Sequence, residues 1–173
     1  MKKSSLAKSV RPVIAGNFMW SKRAQARCEN WEPGDKTDRF VGIHDGYARL
    51  DDPVIHRREL LLNKTGDNLQ VIDELLCNRT HMVEQYWHFS EDCRVLVQGA
   101  KVEAVNGENT LFLNFHSTDI DIDVYRGSED PPMGWVSRRY DVKVPATTIV
   151  MRCRLKGTTS LRTSLNWILA KQE

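Results

Sequence analysis

The sequence predicts an all-β protein, an antiparallel sandwich of two sheets, because apolar residues recur at every second position more often than at helical spacing. Short links with strong turn chemistry join neighbouring strand-like segments, and no helical pattern is long enough to cover a parallel sheet. With 173 residues, of which 40% are hydrophobic, the chain suits one domain around a single core.

The N-terminal segment differs from the rest of the chain. Residues 1–15 are basic, contain serine and show no periodicity, so we expect a disordered tail there. Residues 16–173 then form the single β-sandwich domain.

Three hairpins are predicted from turns rich in Gly, Asn and Thr, which tolerate positive φ or favour turns. They pair residues 55–62 with 69–76, residues 102–105 with 110–116, and residues 148–155 with 160–169. Alternation also places Trp87 and Trp167 on the apolar faces of their strands, so both are predicted to lie in the core.

The charge balance excludes several classes of function. The formal net charge is +2, from 25 Lys and Arg against 23 Asp and Glu, so no global field is available to hold a nucleic acid. No stretch is long and apolar enough for a membrane span, and the N-terminus has no apolar segment that would read as an export signal.

The four cysteines are scattered, at Cys28, Cys77, Cys93 and Cys153. Four cysteines allow two disulfides, but each lies in a strand-like stretch where cysteine behaves as a small buried hydrophobe. Without a C-x-x-C pair or a recognisable zinc pattern, we expect reduced thiols, no metal and no cofactor.

The first candidate site is a corner at His44-Asp45-Gly46-Tyr47, followed by Arg49. Arg49 suits a sugar carboxylate, Asp45 a sugar hydroxyl, and the Tyr47 ring a pyranose face. In the alternative interpretation, His44 and Asp45 hydrogen-bond the backbone of a tight corner and Tyr47 packs.

Two further clusters contain aromatic and charged residues. His81 and His88 are predicted to be structural, because strand geometry does not bring them together and specifies no three-ligand metal site. Trp135, Arg138 and Arg139 suit either a sugar-binding edge or an inter-domain contact, and the sequence does not decide between them. No motif for nucleophilic catalysis is present, so we assign no catalytic residue.

Several of these stretches occur together and in order. They are Gly16-Asn17-Phe18-Met19-Trp20, His44-Asp45-Gly46-Tyr47, Asp52-Pro53-Val54-Ile55-His56-Arg57-Arg58, His81 with Trp87-His88-Phe89, and Trp135-Val136-Ser137-Arg138-Arg139-Tyr140 with Lys143-Val144-Pro145. Over residues 16–169 the chain resembles the C-terminal part of the heparinase II/III-like polysaccharide lyases, which are bacterial.

The resemblance implies a β-sandwich that follows a helical toroid, and a β-elimination in which a tyrosine and a histidine remove the C5 proton of a uronic acid. In that family the toroid supplies the principal tyrosine and histidine, and some members bind a metal. We expect this chain to begin after those motifs, so no catalytic or metal residue is carried over. His44, Asp45, Tyr47 and Arg49 are expected near the cleft between the two domains.

The resulting expectation is a non-catalytic or substrate-contacting C-terminal β-sandwich that has no eliminase activity in isolation. Its expected partners are an acidic polysaccharide and the helical toroid of a parent lyase, and the resemblance implies a periplasmic or secreted parent. One alternative is a stand-alone module that binds an acidic polysaccharide or a protein through Tyr47, Trp135, Arg138 and Arg139. Another is a complete small lyase, built from Tyr47, Tyr140, His44 and His88.

Overall fold

A computed structural model describes residues 14–16, 19–20 and 24–170, and within these ranges the chain forms strands and turns but no helix. The predicted tail over residues 1–15 lies almost wholly outside the described residues and stays a prediction. The strands are β1 (Ile14–Gly16), β2 (Met19–Trp20), β3 (Ala26–Glu32), β4 (Thr37–Tyr47), β5 (Val54–Asn63), β6 (Asn68–Leu76), β7 (Thr80–His88), β8 (Arg94–Gln98), β9 (Lys101–Asn106), β10 (Asn109–Phe115), β11 (Asp121–Arg126), β12 (Ser128–Glu129), β13 (Pro132–Met133), β14 (Trp135–Arg139), β15 (Val142–Pro145), β16 (Thr147–Lys156) and β17 (Thr159–Ile168).

Two antiparallel sheets make up most of the described chain. The large sheet has eight strands in the order β3-β4-β5-β6-β17-β10-β9-β8, and the small sheet has three in the order β11-β16-β7. The pairs β1–β2, β12–β13 and β14–β15 form short two-stranded sheets. The predicted fold class, an antiparallel two-sheet β-sandwich, is therefore confirmed.

Two of the three predicted hairpins are confirmed. Strand β5 pairs with β6, and β9 pairs with β10. The turn between β5 and β6 is fixed by Asn63, whose Oδ1 accepts hydrogen bonds from the backbone N of Thr65 and Gly66. Such side-chain acceptors are typical of turns that connect neighbouring strands.

The third predicted hairpin is wrong. Strand β16 pairs with β7 and β11 in the small sheet, whereas β17 pairs with β6 and β10 in the large sheet. Gly157, at a φ of 68°, turns the chain from one sheet to the other, and its N–H donates to the carbonyl of Arg79 instead of across a hairpin. A Gly-Thr link serves both kinds of connection, so turn chemistry alone did not distinguish them.

The core lies between the two sheets. The small sheet contributes Ile149 and Met151 of β16, and the large sheet contributes Leu113 of β10 and Leu161 of β17, all at most 3% exposed. The first five residues of β16, from Thr147 to Met151, are buried whichever way their side chains point. A strand buried in this way requires a partner sheet on one side and cover on the other.

The two tryptophans predicted for the core differ in their surroundings. Trp87 packs against the core cluster and meets Phe115 edge to face, with ring centroids 6.3 Å apart. Trp167 is only half-buried and does not belong to the set that packs on this cluster. Trp87 is also only partly buried, so the prediction overstates the burial of both side chains and is right only in placing Trp87 against the core.

All four cysteines are free, with Cys77 and Cys153 buried. The described residues include no helix that is long and apolar enough to cross a membrane.

Candidate functional site

A pocket of about 740 Å³ opens between the two sheets. We call it the His44 pocket. Its walls come from β4, β5, β6 and β17 of the large sheet, from β7 and β16 of the small sheet, and from the chain that leaves β4. Of the predicted site residues, His44, Tyr47 and Arg49 line this pocket together.

Strand register places a row of polar side chains on the inner face of the large sheet. His44 of β4 is the cross-strand partner of His56 in β5, and Arg58, two residues further on the same face, is the partner of Asp73 in β6. Cross-strand partners on one face have Cβ atoms about 4.5–5.5 Å apart, so the members of each pair are in contact and the two pairs lie next to each other in one row.

The resulting hydrogen-bond chain has a defined direction. The backbone N of Gly46 donates to Nδ1 of His44 over 3.2 Å, so the proton of the neutral ring lies on Nε2. His44 Nε2 lies 2.8 Å from Nδ1 of His56, and His56 Nε2 lies 2.5 Å from Oδ1 of Asp73. Each histidine therefore donates towards Asp73, and both ring nitrogens of each are engaged.

Asp73 is a buried carboxylate with a complete set of donors. Its side chain is 4% exposed, and besides His56 it accepts two bonds from Arg58, at 2.7 and 3.0 Å, and one from Gln85 Nε2 at 2.7 Å. Burial alone would raise the pKa of Asp73, but the hydrogen bonds from His56 and Arg58 lower it below its usual value. The carboxylate is therefore ionised and anchors the chain.

His44 is held in its neutral form. Burial, assisted by the neighbouring His56, lowers the pKa of His44 below its usual value. The Tyr47 ring lies beside it, with ring centroids 5.5 Å apart, and Tyr47 is 46% exposed. Arg49 is exposed, and no ion pair involves it among residues 24–170. The pocket thus presents an aromatic face, and a cation without an ion-pair partner among the described residues, beside a neutral imidazole.

Asp45 has a structural role in this corner. It is exposed, and its Oδ1 accepts a 2.7 Å hydrogen bond from the backbone N of Gln25. The carboxylate thus ties β4 to the chain that precedes β3. Asp45 therefore bonds the backbone of a neighbouring segment, and it is His44 that accepts a hydrogen bond from the backbone of the corner itself, at Gly46.

Trp135, Arg138 and Arg139 do not line the His44 pocket. Trp135 donates through Nε1 to the carbonyl of Ser128, and Lys143 Nζ lies 4.0 Å from the centre of its ring. Arg138 forms a bidentate pair with Glu91, at 2.8 and 3.1 Å, and this guanidinium lowers the pKa of Glu91 to about 2. Through these contacts Trp135 and Arg138 hold the β14–β15 hairpin in place.

The sequence analysis did not assign His56, Arg58 or Asp73 to the site. Their signal is a polar residue on an otherwise apolar strand face. His56 and Arg58 share a face with Val54, and Asp73 lies between the buried Val71 and Leu75 of β6. A buried charged residue requires a partner. Polar residues on the apolar faces of two neighbouring strands are therefore candidates to contact each other and to form a site.

A second cluster that the sequence analysis missed lies where the β4–β5, β6–β7 and β16–β17 connections meet. Asp52, Cys77 and His81 bring a carboxylate oxygen, a thiol sulfur and an imidazole nitrogen within 4.8 Å of one another. We call it the three-loop cluster. The hydrogen bond from His81, assisted by the backbone N of Arg79, lowers the pKa of Asp52 to about 2. The C-x3-H spacing from Cys77 to His81 is the local signal that was available.

The sequence matches a protein family over residues 3–165, and that family is described as "Heparinase II/III-like, C-terminal". Among curated proteins no sequence matches the chain. Among solved structures, the chain is similar to the heparan sulfate lyase HepC from Pedobacter heparinus, with a TM-score of 0.71 and 19% identity over 86% of this chain and 22% of that one. It is also similar to a heparinase III gene product, with a TM-score of 0.68 and 11% identity over 83% of this chain and 22% of that one.

These two comparisons with structures establish the fold alone. Identities of 11–19% carry no information on individual site residues. The chain spans about a fifth of the length of both solved lyases. The family match, which extends over most of the chain, carries the assignment of the family.

Proposed function

Because the chain belongs to the heparinase II/III-like family and matches its C-terminal region, we propose that it is the β-sandwich of a lyase that cleaves uronic-acid polysaccharides by β-elimination. In this proposal the chain contacts the substrate through the His44 pocket and does not supply the catalytic base. The helical toroid that the family resemblance implies is its partner in the parent lyase.

The observation that carries the proposal is the combination of Arg49 and Tyr47 at the His44 pocket. A uronic acid offers a carboxylate, ring hydroxyls and an apolar face of C–H groups. Arg49, which has no ion-pair partner among the described residues, suits the carboxylate, and the half-exposed Tyr47 ring suits the apolar face.

The hydrogen bonding of His44 supports a role in contact with substrate, as opposed to proton abstraction. A general base needs a free lone pair within hydrogen-bonding reach of the proton that it removes. Nδ1 of His44 accepts from Gly46, and Nε2 is directed at His56. His56 is engaged at both nitrogens as well, so the chain of histidines fixes the pocket wall.

The test of substrate contact is calorimetric titration of the chain with a size-defined heparan sulfate oligosaccharide. Replacing Arg49 with alanine removes one charge-assisted contact, so binding should weaken by about 2 kcal/mol, or roughly thirtyfold. Added salt should weaken the wild-type interaction as well.

Arg139 provides the matched control, because it is an exposed arginine that does not line the pocket. Arg139→Ala should bind as the wild type does. If Arg139→Ala weakens binding and Arg49→Ala does not, the His44 pocket is not the contact surface, and the stand-alone module that uses Arg138 and Arg139 becomes the better interpretation.

The non-catalytic part of the proposal has its own assay. The unsaturated uronic acid formed by β-elimination absorbs in the ultraviolet, and the isolated chain should produce no such absorbance from heparan sulfate. A rise in absorbance that disappears in Tyr47→Phe would contradict this part and favour the small-lyase alternative.

A further inference from the structure

Three connections meet at one end of the sandwich, and we propose that the three-loop cluster formed there by Asp52, Cys77 and His81 is a zinc(II) site. Asp52 lies between β4 and β5, Cys77 between β6 and β7, and His81 near the start of β7. The inference rests on these three residues and does not depend on the proposed function of the His44 pocket.

The donor set is one that zinc prefers. Thiolate, imidazole and carboxylate are its usual protein ligands, and here one of each lies within 4.8 Å of the other two. Asp52 and Cys77 are 7% and 8% exposed, so bulk water does not compete freely at two of the three ligand positions. A buried thiol and a buried carboxylate beside a partly buried imidazole differ from the exposed acidic clusters that are common on protein surfaces.

The loops that carry the ligands are fixed to one another. Asp52 Oδ2 accepts from the backbone N of Asn78 and Arg79, so it is tied to the segment between Cys77 and His81. On the other side, Gly157 N donates to the carbonyl of Arg79, and Cys77 Sγ lies 3.1 Å from the carbonyl O of Gly157. Backbone contacts therefore hold the donors together before any ion binds.

The adjustment that an ion requires is small. Tetrahedral zinc places N, O and S ligand pairs about 3.3–3.8 Å apart. His81 Nε2 and Asp52 Oδ2 are now 2.7 Å apart, so this pair must open by roughly 0.6 Å, and a pair as far apart as 4.8 Å must close by roughly 1 Å. Oδ1 of Asp52, which accepts one bond of 3.3 Å from Asn78, is the freer oxygen for coordination.

Binding has a defined proton balance. Zinc replaces the thiol proton of Cys77, which leaves to solvent as the Zn–S bond forms, and His81 coordinates as the neutral ring. Cys77 and His81 also line the His44 pocket, so an ion held by them would border that pocket and add positive charge to its wall.

Cobalt(II) titration of the full chain, purified with a chelator and then freed of it, tests the site. Cobalt takes zinc ligands, and a bond to thiolate gives a charge-transfer band in the near ultraviolet. We expect this band to saturate at one cobalt per chain and to disappear when zinc is added in equal amount. If no thiolate band forms at saturating cobalt, the proposal is overturned.

Variants locate the thiolate. Cys77→Ser should abolish the band and weaken zinc binding roughly tenfold or more. Cys153→Ser, which removes an equally buried thiol, and Cys28→Ser, which removes an exposed one, should leave the band unchanged. Loss of the band in either of these controls would mean that the ion binds elsewhere.

His81→Gln is a second test of the site, in case the Cys77 variant does not fold. It keeps the thiol and removes one ligand. It should shift the cobalt spectrum and weaken zinc binding roughly tenfold or more. Unchanged zinc affinity in His81→Gln would overturn the proposal, since the plain hydrogen bond between His81 and Asp52 would then be the only role of this histidine.

Discussion

Asp73 shows how one charged residue is accommodated on the inner face of a sheet. A carboxylate in the interior is costly unless its oxygen atoms are fully hydrogen-bonded. Here His56, Arg58 and Gln85 donate to both oxygens. These hydrogen bonds offset the free-energy cost of burying the carboxylate. The same contacts hold two histidines in one orientation, which gives the pocket wall a fixed geometry.

Removing this carboxylate should be strongly destabilising. Asp73→Ala leaves the donors of His56 and Gln85 without a partner, and we expect a loss of about 3 kcal/mol in the free energy of unfolding from urea melts. Asp35→Ala, a change at an exposed carboxylate, should cost less than about 0.5 kcal/mol. A similar small loss in both variants would show that Asp73 does not anchor the chain of histidines.

The pH dependence of stability follows from the lowered pKa values of His44 and Asp73. A lowered pKa means that the unfolded chain binds the proton more readily, so each contribution is complete above the unfolded pKa and is lost as pH falls through the folded one. Stability should therefore decline as pH falls below 6.5 through His44, and again below 3.8 through Asp73.

Urea melts between about pH 7.5 and pH 5 measure the His44 contribution. His44→Gln should have a shallower slope over this range, even if its stability at neutral pH is lower. An equal slope in both proteins would assign the pH dependence to the other four histidines.

At the level of elements, Gly134 joins several short strands. It follows β13 and precedes β14, and its carbonyl accepts from the backbone N of Gly127 and of Ala146. Its φ is 76°, and a Cβ at this position would lie 2.7 Å from the carbonyl O of Tyr125. Both the backbone conformation and the close approach of another chain segment require glycine here.

Gly107, in the β9–β10 hairpin, has the left-handed conformation without the close approach, so comparing it with Gly134 measures the two requirements separately. Its φ is 59°, and a Cβ there would meet nothing within 4 Å. Gly107→Ala should cost about 1 kcal/mol for the left-handed conformation alone, whereas Gly134→Ala adds a backbone clash and should cost about 3 kcal/mol in total. Equal losses in thermal or urea melts would contradict the close approach at Gly134.

Strand identity was predictable from sequence, and strand partnership only in part. Alternation placed Trp87 of β7 on the inner face, and the burial of Gln85 and the exposure of Glu84 and Tyr86 follow the same period. Short links predicted the β5–β6 and β9–β10 hairpins because those partners are adjacent in the chain. The link after β16 has the same chemistry but changes sheets, and this depends on the burial of β16 on both sides, which is a property of the assembled fold.

The site shows the same limit. His44, Tyr47 and Arg49 were predicted together because they lie within one corner of the chain. The partners of His44 come from β5 and β6, and only the strand register brings Asp73 next to Arg58 and within reach of His56. Trp135 and Arg138 were included for their composition, yet Ser128 and Glu91 provide their hydrogen-bond partners.

For the molecule as a whole, the sandwich is stabilised without covalent cross-links among its four cysteines. We expect thiol titration of the denatured protein, with a chelator present and reductant absent, to find four thiols. In the native protein the exposed Cys28 should react first, and the buried Cys77 and Cys153 should react only as the protein opens. A count of two or none after denaturation would mean that disulfides form in this fold.

The position of β17 has a consequence for how the molecule is assembled. This strand follows all the other described strands along the chain, yet it lies in the interior of the large sheet, between β6 and β10. Until it is in place, the strands β3–β6 and the strands β8–β10 are two separate ribbons, each with an unpaired edge that can template pairing with another chain. Such long-range closure is slow compared with hairpin formation. The interval before β17 inserts is therefore when a newly made chain is most exposed to aggregation, and completion of this one strand removes both edges at once.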